Sequence, residues 1–253
     1  MIIRKSASEI TRIASSGTLV ARTIAHVGER IEPGITTLEL DRIADDFIRE
    51  NGGVPTSLGY RGYPRAICIS VNEVVVHGIP DERVVEEGDL VTIDVGVTLD
   101  GAIADSAYTF GVGTVEAESQ RLLDVCQDAL AAGIAEARLG NRIGDISHAV
   151  QTLVEDAGFS VVKSLVGHGV GRSMHEDPQI PNFVSAYPGP ELLEGMTIAI
   201  EPMITAGGPD VYLHDDEWSI STSDDSLAAH FEHTVAVTAA GPRVLTNTQV
   251  LVP

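Results

Sequence analysis

The feature of this sequence that most constrains its fold is an alternating strand pattern that ends in a turn signal. Over residues 91–97, apolar residues alternate with Thr, Asp and Gly, as expected for a strand with one buried face. Asp100-Gly101 follows, and Asp-Gly between alternating segments is a strong short-range signal for a two-residue hairpin turn. The sequence therefore predicts an antiparallel hairpin with its loop at residues 100 and 101.

The register of this hairpin places two carboxylates on one face of the sheet. If the two turn residues form the loop, Leu99 pairs with Ala102, and counting back puts Gly96 opposite Asp105. Asp94 and Asp105 are then diagonal neighbours, about 7–8 Å apart. Two such anions repel, and each costs free energy to remove from water. We therefore expect a cation between them.

Two further carboxylates fall within apolar strand patterns later in the chain. The strands predicted at residues 196–204 and 230–238 contain Glu201 and Glu232. Strands are depleted in Glu, and each of these side chains is out of phase with its apolar neighbours. A solvent-facing charge is the ordinary explanation for any one of the four carboxylates. Four of them in otherwise apolar strands favour a shared site.

Histidines add nitrogen donors to these oxygens. His168 lies among three glycines in residues 167–171, which indicates a tightly constrained backbone, and His175 follows. A phosphate-binding loop is disfavoured because no Gly-Lys-Ser/Thr sequence and no capped helix follow. His77 closes an apolar run. Carboxylates with one or two imidazoles suit a pair of hard or borderline divalent ions, which is typical of hydrolases.

The remaining patterns indicate two similar halves with helices outside and sheet inside. A short echo relates residues 86–94 to residues 193–201, and in both a carboxylate follows a Gly by six residues. We predict one domain with halves at about residues 1–112 and 113–253. Helices are predicted at 8–27, 36–50, 115–139 and 145–157, and further strands at 65–76, 90–99 and 161–166.

Composition limits the partners. With 37 Asp and Glu against 16 Lys and Arg, the formal charge is −21, and no dense basic cluster occurs, so direct nucleic-acid binding is not expected. No apolar stretch approaches the roughly 18 residues of a membrane helix, and residues 1–10 lack a signal pattern, so we expect a soluble cytoplasmic protein. Cys68 and Cys126 are expected to be free thiols, with a bridge between them as the alternative.

Seven motifs follow one another along the chain: LGYRGYP (58–64), NEVVVHGIP (72–80), IDVG (93–96), GHGVG (167–171), HEDP (175–178), IEPM (200–203) and FEHT (231–234). Through these motifs the chain resembles, over nearly its whole length, the type I methionine aminopeptidases, which are metallopeptidases of the pita-bread fold. The resemblance implies an α+β fold of two pseudo-symmetric halves, with a central curved, mostly antiparallel sheet and helices on the outer face.

The resemblance also implies a function. It implies a metal-dependent aminopeptidase that removes the initiator methionine from nascent proteins and peptides, prefers a small second residue, and uses a water activated by two divalent ions. The implied metal ligands are Asp94, Asp105, His168, Glu201 and Glu232, with Asp105 and Glu232 bridging. The identity of the metal, whether cobalt, manganese, iron or zinc, stays open.

Roles at the substrate follow from the same resemblance. Glu201 would accept the proton of the attacking water, His175 would hydrogen-bond the scissile carbonyl, and His77 would contact the next peptide amide. The implied methionine pocket is lined by Ser57, Tyr60, Tyr63, Cys68, Met174 and Trp218. Met174, where relatives often carry an aromatic residue, and Ala-Ile-Ala at 102–104 depart from the family pattern.

Three alternatives stay open at this point. Proline-directed aminopeptidases and dipeptidases share the fold and ligand set but usually carry a separate amino-terminal domain. Some proteins of this fold are binding modules that have lost ligands, and an acidic cluster can also hold metal for structure alone. Transient contact with the ribosome is likewise open, and a monomer is the expectation by resemblance.

Overall fold

The computed structural model describes residues 1–247, which form four α-helices, one 3-10 turn at Tyr60–Gly62 and a set of antiparallel strands. The helices are α1 (Ala7–Gly28), α2 (Thr37–Glu50), α3 (Ala117–Glu136) and α4 (Ile143–Asp156). The strands are β1 (Val54–Pro55), β2 (Cys68–Val71), β3 (Val74–Val76), β4 (Leu90–Leu99), β5 (Ala102–Gly111), β6 (Ser160–Val161), β7 (Val166–Gly169), β8 (Glu176–Pro181), β9 (Thr197–Ile200), β10 (Met203–Thr205), β11 (Val211–Leu213), β12 (Ile220–Thr222), β13 (Ala228–His230), β14 (His233–Thr238) and β15 (Gly241–Val244).

The first two helices begin at residues whose side chains cap them. Ser6 and Glu9 form a reciprocal capping box at α1, and the Thr36 hydroxyl accepts from the backbone N–H of Glu39 at 3.1 Å to start α2. Gly17 interrupts the apolar pattern of α1 without breaking the helix. A Cβ there would lie 2.2 Å from the carbonyl oxygen of Leu245, so glycine permits close packing. All four predicted helices are confirmed, with ends that differ by up to three residues.

The β4–β5 hairpin has the predicted register. Leu99 pairs with Ala102 and Gly96 pairs with Asp105, so the loop consists of Asp100 and Gly101. On its other edge β4 pairs with β1 near its end and with β2 nearer its start. Asp94 therefore lies in the middle of a three-stranded region.

Residues 1–247 form three further sheets, and every pairing between named strands is antiparallel. Their strand orders are β13-β10-β6, β11-β12-β3 and β15-β14-β9-β7-β8. The last of these sheets meets the hairpin at Glu232, the residue just before β14. The backbone N–H of Glu232 donates to the carbonyl oxygen of Ala107 in β5 at 3.0 Å. This bond joins the hairpin to the segment ahead of β14.

Several predicted strands are wrong in their extent. The strand predicted at residues 196–204 is interrupted at Glu201-Pro202, and the one at 230–238 is interrupted at residues 231–232. Pro202 has no N–H to donate to a ladder, which explains the first break. The segments at 65–76 and 161–166 are likewise divided, because each apolar run supplies strands to different sheets. Apolarity reports burial and does not identify the pairing partner.

The helices cover the sheets, and aliphatic side chains fill the space between. α1 packs on β4 and β5, and α3 packs on α4, β10 and β13. One buried cluster lies beneath α1 and α2 and a second beneath α3 and α4. No helix within residues 1–247 is both long and apolar enough to cross a membrane. Cys68 and Cys126 are free buried thiols, as predicted.

The echo noted in the sequence corresponds to two similar turns. Gly88 precedes β4 with φ of 89°, and Gly195 precedes β9 with φ of 90°. Left-handed values of this kind favour glycine. Asp94 and Glu201 therefore each lie six residues after a glycine with a left-handed backbone conformation.

Candidate metal centre

A cavity of about 280 Å³ lies where the hairpin meets the segments around β7, β10 and β14. Its walls come from strands and loops. Every residue predicted for the site lines this cavity: Ser57, Tyr60, Tyr63, Cys68, His77, Asp94, Asp105, His168, Met174, His175, Glu201, Trp218 and Glu232. The structure thus brings together side chains that are up to 175 positions apart in the chain, from Ser57 to Glu232.

The four carboxylates reach the cavity from two kinds of backbone. Asp94 and Asp105 project from paired strands of the hairpin. Glu201 and Glu232 lie in the two strand interruptions rather than inside strands, which corrects the prediction. Asp105 and Glu232 are only 3% and 2% exposed. Burial of this degree is rare for carboxylates without a compensating partner.

One imidazole and two of these carboxylates form a compact group. Donor atoms of Asp105, His168 and Glu232 all lie within 4.8 Å of one another. His168 Nε2 is also 3.4 Å from Glu201 Oε1. Oxygen and imidazole donors at such spacing are those that hold divalent ions.

The carboxylate oxygens lack the hydrogen bonds that buried oxygens normally make. Among residues 1–247, Asp105 Oδ1, Glu201 Oε1 and Glu232 Oε1 have no hydrogen-bond partner. A buried acceptor left unpaired costs about 1–3 kcal/mol, and more when it is charged. Metal coordination would satisfy these oxygens, so the donor set fits divalent cations.

The electrostatics of the group point the same way. Burial raises the pKa of Asp105 to about 6. Burial, and then repulsion from neighbouring carboxylates, raises the pKa values of Asp94, Glu201 and Glu232 well above their usual range. A cation at the centre would reverse these shifts because it stabilises the charged forms.

His168 is held in the orientation that a ligand requires. Its Nδ1 donates to the carbonyl oxygen of Gly169 at 2.9 Å, which leaves Nε2 unprotonated and directed at the carboxylates. Burial, and then the charge of His175, lowers the pKa of His168 to about 4. The imidazole is therefore neutral at physiological pH, and the lone pair of Nε2 is available to bind a metal ion.

The glycines around His168 permit close approach of three strands. A Cβ on Gly167 would lie 2.4 Å from the carbonyl oxygen of Ala199, and one on Gly169 would lie 2.3 Å from that of Asp177. Gly171 has a φ of 139°. The constrained backbone predicted from the glycine spacing is confirmed.

Two further histidines line the cavity, and the ring of His175 lies beside that of His168 with centroids 4.2 Å apart. His175 Nδ1 is 2.8 Å from the Tyr60 hydroxyl, and the two rings stack with centroids 5.3 Å apart. Burial, and then the charge of Arg61, lowers the pKa of His175. His77 has a φ of 58°, and burial together with His175 lowers its pKa to about 4.

Aromatic and sulfur-containing side chains form the apolar wall. Tyr63 and Trp218 meet edge to face with centroids 5.0 Å apart, and the Tyr63 hydroxyl donates to the carbonyl oxygen of Gly78 at 2.8 Å. Cys68 pairs with Asp94 across β2 and β4. Met174 lies so close to Gly96 that a Cβ there would be 2.9 Å from its terminal methyl.

His230 is a cavity residue that sequence reasoning missed. It is 2% exposed, and neither ring nitrogen has a hydrogen-bond partner within the described chain. Its Nε2 lies 3.9 Å from Glu201 Oε2, and burial lowers its pKa to about 3. The one signal in the sequence that could have identified it as a site residue is its position, two residues before Glu232 in the same apolar pattern.

Known proteins share this sequence and architecture. Residues 11–239 match the model of metallopeptidase family M24. A methionine aminopeptidase of Bacillus subtilis is 46% identical over 247 residues, covering 98% of this chain and 100% of that protein. The crystal structure of methionine aminopeptidase from Rickettsia prowazekii superposes with a TM-score of 0.96 at 39% identity, covering 98% of this chain and 100% of the other.

A more distant likeness extends to another kind of peptidase. The prolidase from Pyrococcus horikoshii superposes with a TM-score of 0.79 at 22% identity, and the match covers 98% of this chain and 64% of the prolidase. That likeness shows the fold alone. Together with the closer structure it confirms the predicted pita-bread fold.

Proposed function

The chain belongs to metallopeptidase family M24, and from this premise we propose that it releases the amino-terminal methionine from peptides and nascent proteins, with preference for a small second residue. The observation that carries the proposal is the set of buried, unpaired carboxylate oxygens beside His168 at one cavity, within the described residues 1–247. Relatives of high identity over the whole chain are methionine aminopeptidases, which supports the choice of substrate.

We propose that the cavity holds two divalent metal ions, bound by Asp94, Asp105, His168, Glu201 and Glu232. Such a pair supplies Lewis-acid activation of a water and of a carbonyl group. Asp105 and Glu232, which belong to the compact group around His168, would be the ligands shared by the two ions. Cobalt, manganese, iron and zinc are all compatible with these donors.

Glu201 is the proposed proton acceptor for the attacking water. Its side chain lies between His168 and His230, and one of its oxygens has no partner among residues 1–247. A general base must lie within hydrogen-bond reach of the proton that it takes, and Glu201 would lie beside the water that the ions activate. A carboxylate so placed can take a proton and later deliver it to the departing amine.

His175 is the proposed donor to the scissile carbonyl. When the Tyr60 hydroxyl donates to Nδ1, the ring proton lies on Nε2, the nitrogen left free to reach a substrate. A donor aimed at an oxygen where negative charge develops lowers the barrier more than it strengthens ground-state binding. His77, which lines the same cavity, is the proposed contact for the following peptide amide.

The apolar wall is the proposed pocket for the methionine side chain. Tyr63, Trp218 and Met174 present aromatic rings and a thioether, and Cys68 adds a buried thiol. Thioether sulfur makes favourable contacts with aromatic edges, worth about 0.3–1.5 kcal/mol. Ser57 and Tyr60 complete the proposed pocket.

We further propose one catalytic domain with halves at about residues 1–112 and 113–253. The matching turns at Gly88 and Gly195, and the pair of helices that precedes the strands in each half, support this division. We propose that the protein is a cytoplasmic monomer and that any contact with the ribosome is transient. The net charge of −21 supports the absence of direct nucleic-acid binding.

The test is hydrolysis of Met-Gly-Met and of an Ala-Pro peptide by purified protein, first stripped of metal and then supplied with single divalent ions. Methionine release that returns only with metal is the expected result, and it identifies the supporting ions. Cleavage of the Ala-Pro peptide alone would favour a proline-directed peptidase. Metal binding without any turnover would leave a binding module or a structural metal site.

A further inference from the structure

The segment 171–176, which carries Met174 and His175, is folded around the carboxylate of Glu176. Glu176 Oε1 accepts hydrogen bonds from the backbone N–H groups of Arg172 at 2.6 Å and Ser173 at 3.0 Å. Glu176 also faces Gly169 where the β7–β8 register shifts, just after His168. We call residues 171–176 the His175 loop. Its shape depends on one buried side chain.

That carboxylate is paired with a cation from the far end of the sequence. Lys5 Nζ lies 2.5 Å from Glu176 Oε2, and the two side chains are 1% and 4% exposed. Lysine is almost never buried to this extent unless it is paired. Among residues 1–247, no other Lys–Glu or Lys–Asp ion pair occurs.

Lys5 is itself fixed by contacts outside the pair. Its backbone N–H donates to the carbonyl oxygen of Gly195 at 2.6 Å, in the turn before β9. Its side chain passes beside the start of the His175 loop, since a Cβ on Gly171 would lie 3.0 Å from Lys5 Cε. The backbone of Lys5 is therefore tied to the turn that leads to β9, while its ammonium group binds the carboxylate of the loop.

A second ion pair to the same loop differs in one respect. Arg172 reaches Glu9 at 2.7 Å, but the Arg172 side chain is exposed to solvent. Exposed pairs contribute little because water screens them. Arg172 thus offers a matched control: its replacement removes a charge from the loop without touching the buried carboxylate.

We propose that Lys5 is a positioning residue for the reaction, acting through Glu176 to set the places of His175 and Met174 in the cavity. Both side chains line the cavity wall and lie within two positions of Glu176 in sequence, so a displaced carboxylate would move both together. A displacement of about 1 Å from the productive geometry can cost a hundredfold in rate. The proposal rests on the proposed function, because it assigns Lys5 a part in that same cleavage.

The experiment compares the wild-type protein with K5M, E176Q, the double variant K5M/E176Q and the control R172Q. Two quantities are measured on metal-loaded protein well below its unfolding temperature: kcat and KM for Met-Gly-Met, and hydrogen exchange of the Arg172 and Ser173 amides. Exchange is also measured on metal-free protein. The amides report the loop directly, without any turnover.

K5M is expected to lower kcat/KM by about tenfold or more and to speed exchange of both amides, whereas R172Q stays within about twofold of wild type. In the E176Q background, K5M is expected to change kcat/KM by less than about threefold, since residues that act through one another are not additive. E176Q keeps a side-chain oxygen that can accept from both amides. If K5M alone does not fold, E176Q can still be compared with the wild-type protein.

Two results would overturn the proposal. One is wild-type amide exchange and wild-type kcat/KM in K5M, which would leave Lys5 with no influence on the loop. The other is a full additional loss when K5M is added to E176Q, which would mean that Lys5 acts by another route. If the wild-type protein releases no methionine, the proposed function fails, while amide exchange still decides whether Lys5 orders the loop.

Discussion

The hydroxyl of Thr234 holds the backbone of Asp105 from both sides. It accepts a hydrogen bond from the Asp105 N–H at 3.0 Å and donates one to the Asp105 carbonyl at 2.8 Å. Thr109 makes the same pair of bonds with His230, accepting at 3.0 Å and donating at 2.8 Å. The two threonines thus join β5 to the segment that carries Glu232.

Replacing Thr234 with Val is expected to destabilise the metal-free protein by about 1–3 kcal/mol, because it leaves a buried N–H and a buried carbonyl without partners. Urea unfolding followed by circular dichroism measures the change. Thr234→Ser keeps the hydroxyl and serves as the control, with a smaller loss expected. Equal midpoints for Thr234→Val and wild type would show that this bridge contributes nothing to stability.

Replacing Gly167 with Ala is expected to destabilise the protein by about 1–3 kcal/mol or more, because the added methyl would meet the Ala199 carbonyl at 2.4 Å. Thermal unfolding and metal affinity both report the change, since His168 is the next residue. Gly208→Ala is the matched control: its nearest contact would be an ordinary 3.5 Å. A Gly167 variant as stable as the Gly208 variant would contradict the close packing of β7 on β9.

Replacing Glu201 with Gln is expected to keep the fold and to lower kcat by about 100-fold or more, because the proposed proton acceptor is gone. The metal-free variant should be at least as stable as wild type, since Gln is neutral in a site where burial and the neighbouring carboxylates disfavour the charged form of Glu201. Steady-state kinetics tests the expected loss of kcat, and thermal unfolding tests the expected stability. Glu82→Gln, on the surface, is the control, and turnover by the Glu201 variant near the wild-type rate would exclude the role.

The metal-free protein is expected to lose stability as the pH rises from about 4 to 6. The pKa of Asp105 is raised from 3.8 to about 6 by folding, so the folded state holds the proton more tightly and is favoured at low pH. The raised pKa values of Asp94, Glu201 and Glu232 extend the same trend to higher pH. Urea unfolding of wild type and Asp105→Asn at a series of pH values measures how much of the pH dependence requires Asp105. Parallel pH profiles for the two proteins would refute it.

The parts of the site that the sequence predicts are those governed by local rules. The Asp-Gly turn and the alternation of β4 determine which residues face each other, so Asp94 and Asp105 can be placed from the sequence alone. Glu201 and Glu232 stand out as unusual residues in apolar segments, but nothing local reveals their surroundings. Periodicity does not show that Pro202 ends a strand, because the apolar pattern continues on both sides.

The contacts that sequence patterns do not predict are long-range. Lys5 and Glu176 are 171 residues apart, and Thr234 and Asp105 are 129 apart. His230 lies in the cavity because β13 pairs with β10, which no local pattern reveals. Each of these depends on how separate sheets are arranged.

The proposed ligands are divided between the two halves of the chain, with Asp94 and Asp105 in the first and the other three in the second. Neither half alone holds a full set of donors. During its own synthesis the chain would therefore stay inert as a peptidase until Glu232 has been added and has folded against β5. A truncated translation product that ends before residue 232 would lack a proposed metal ligand, and we expect it to have no peptidase activity.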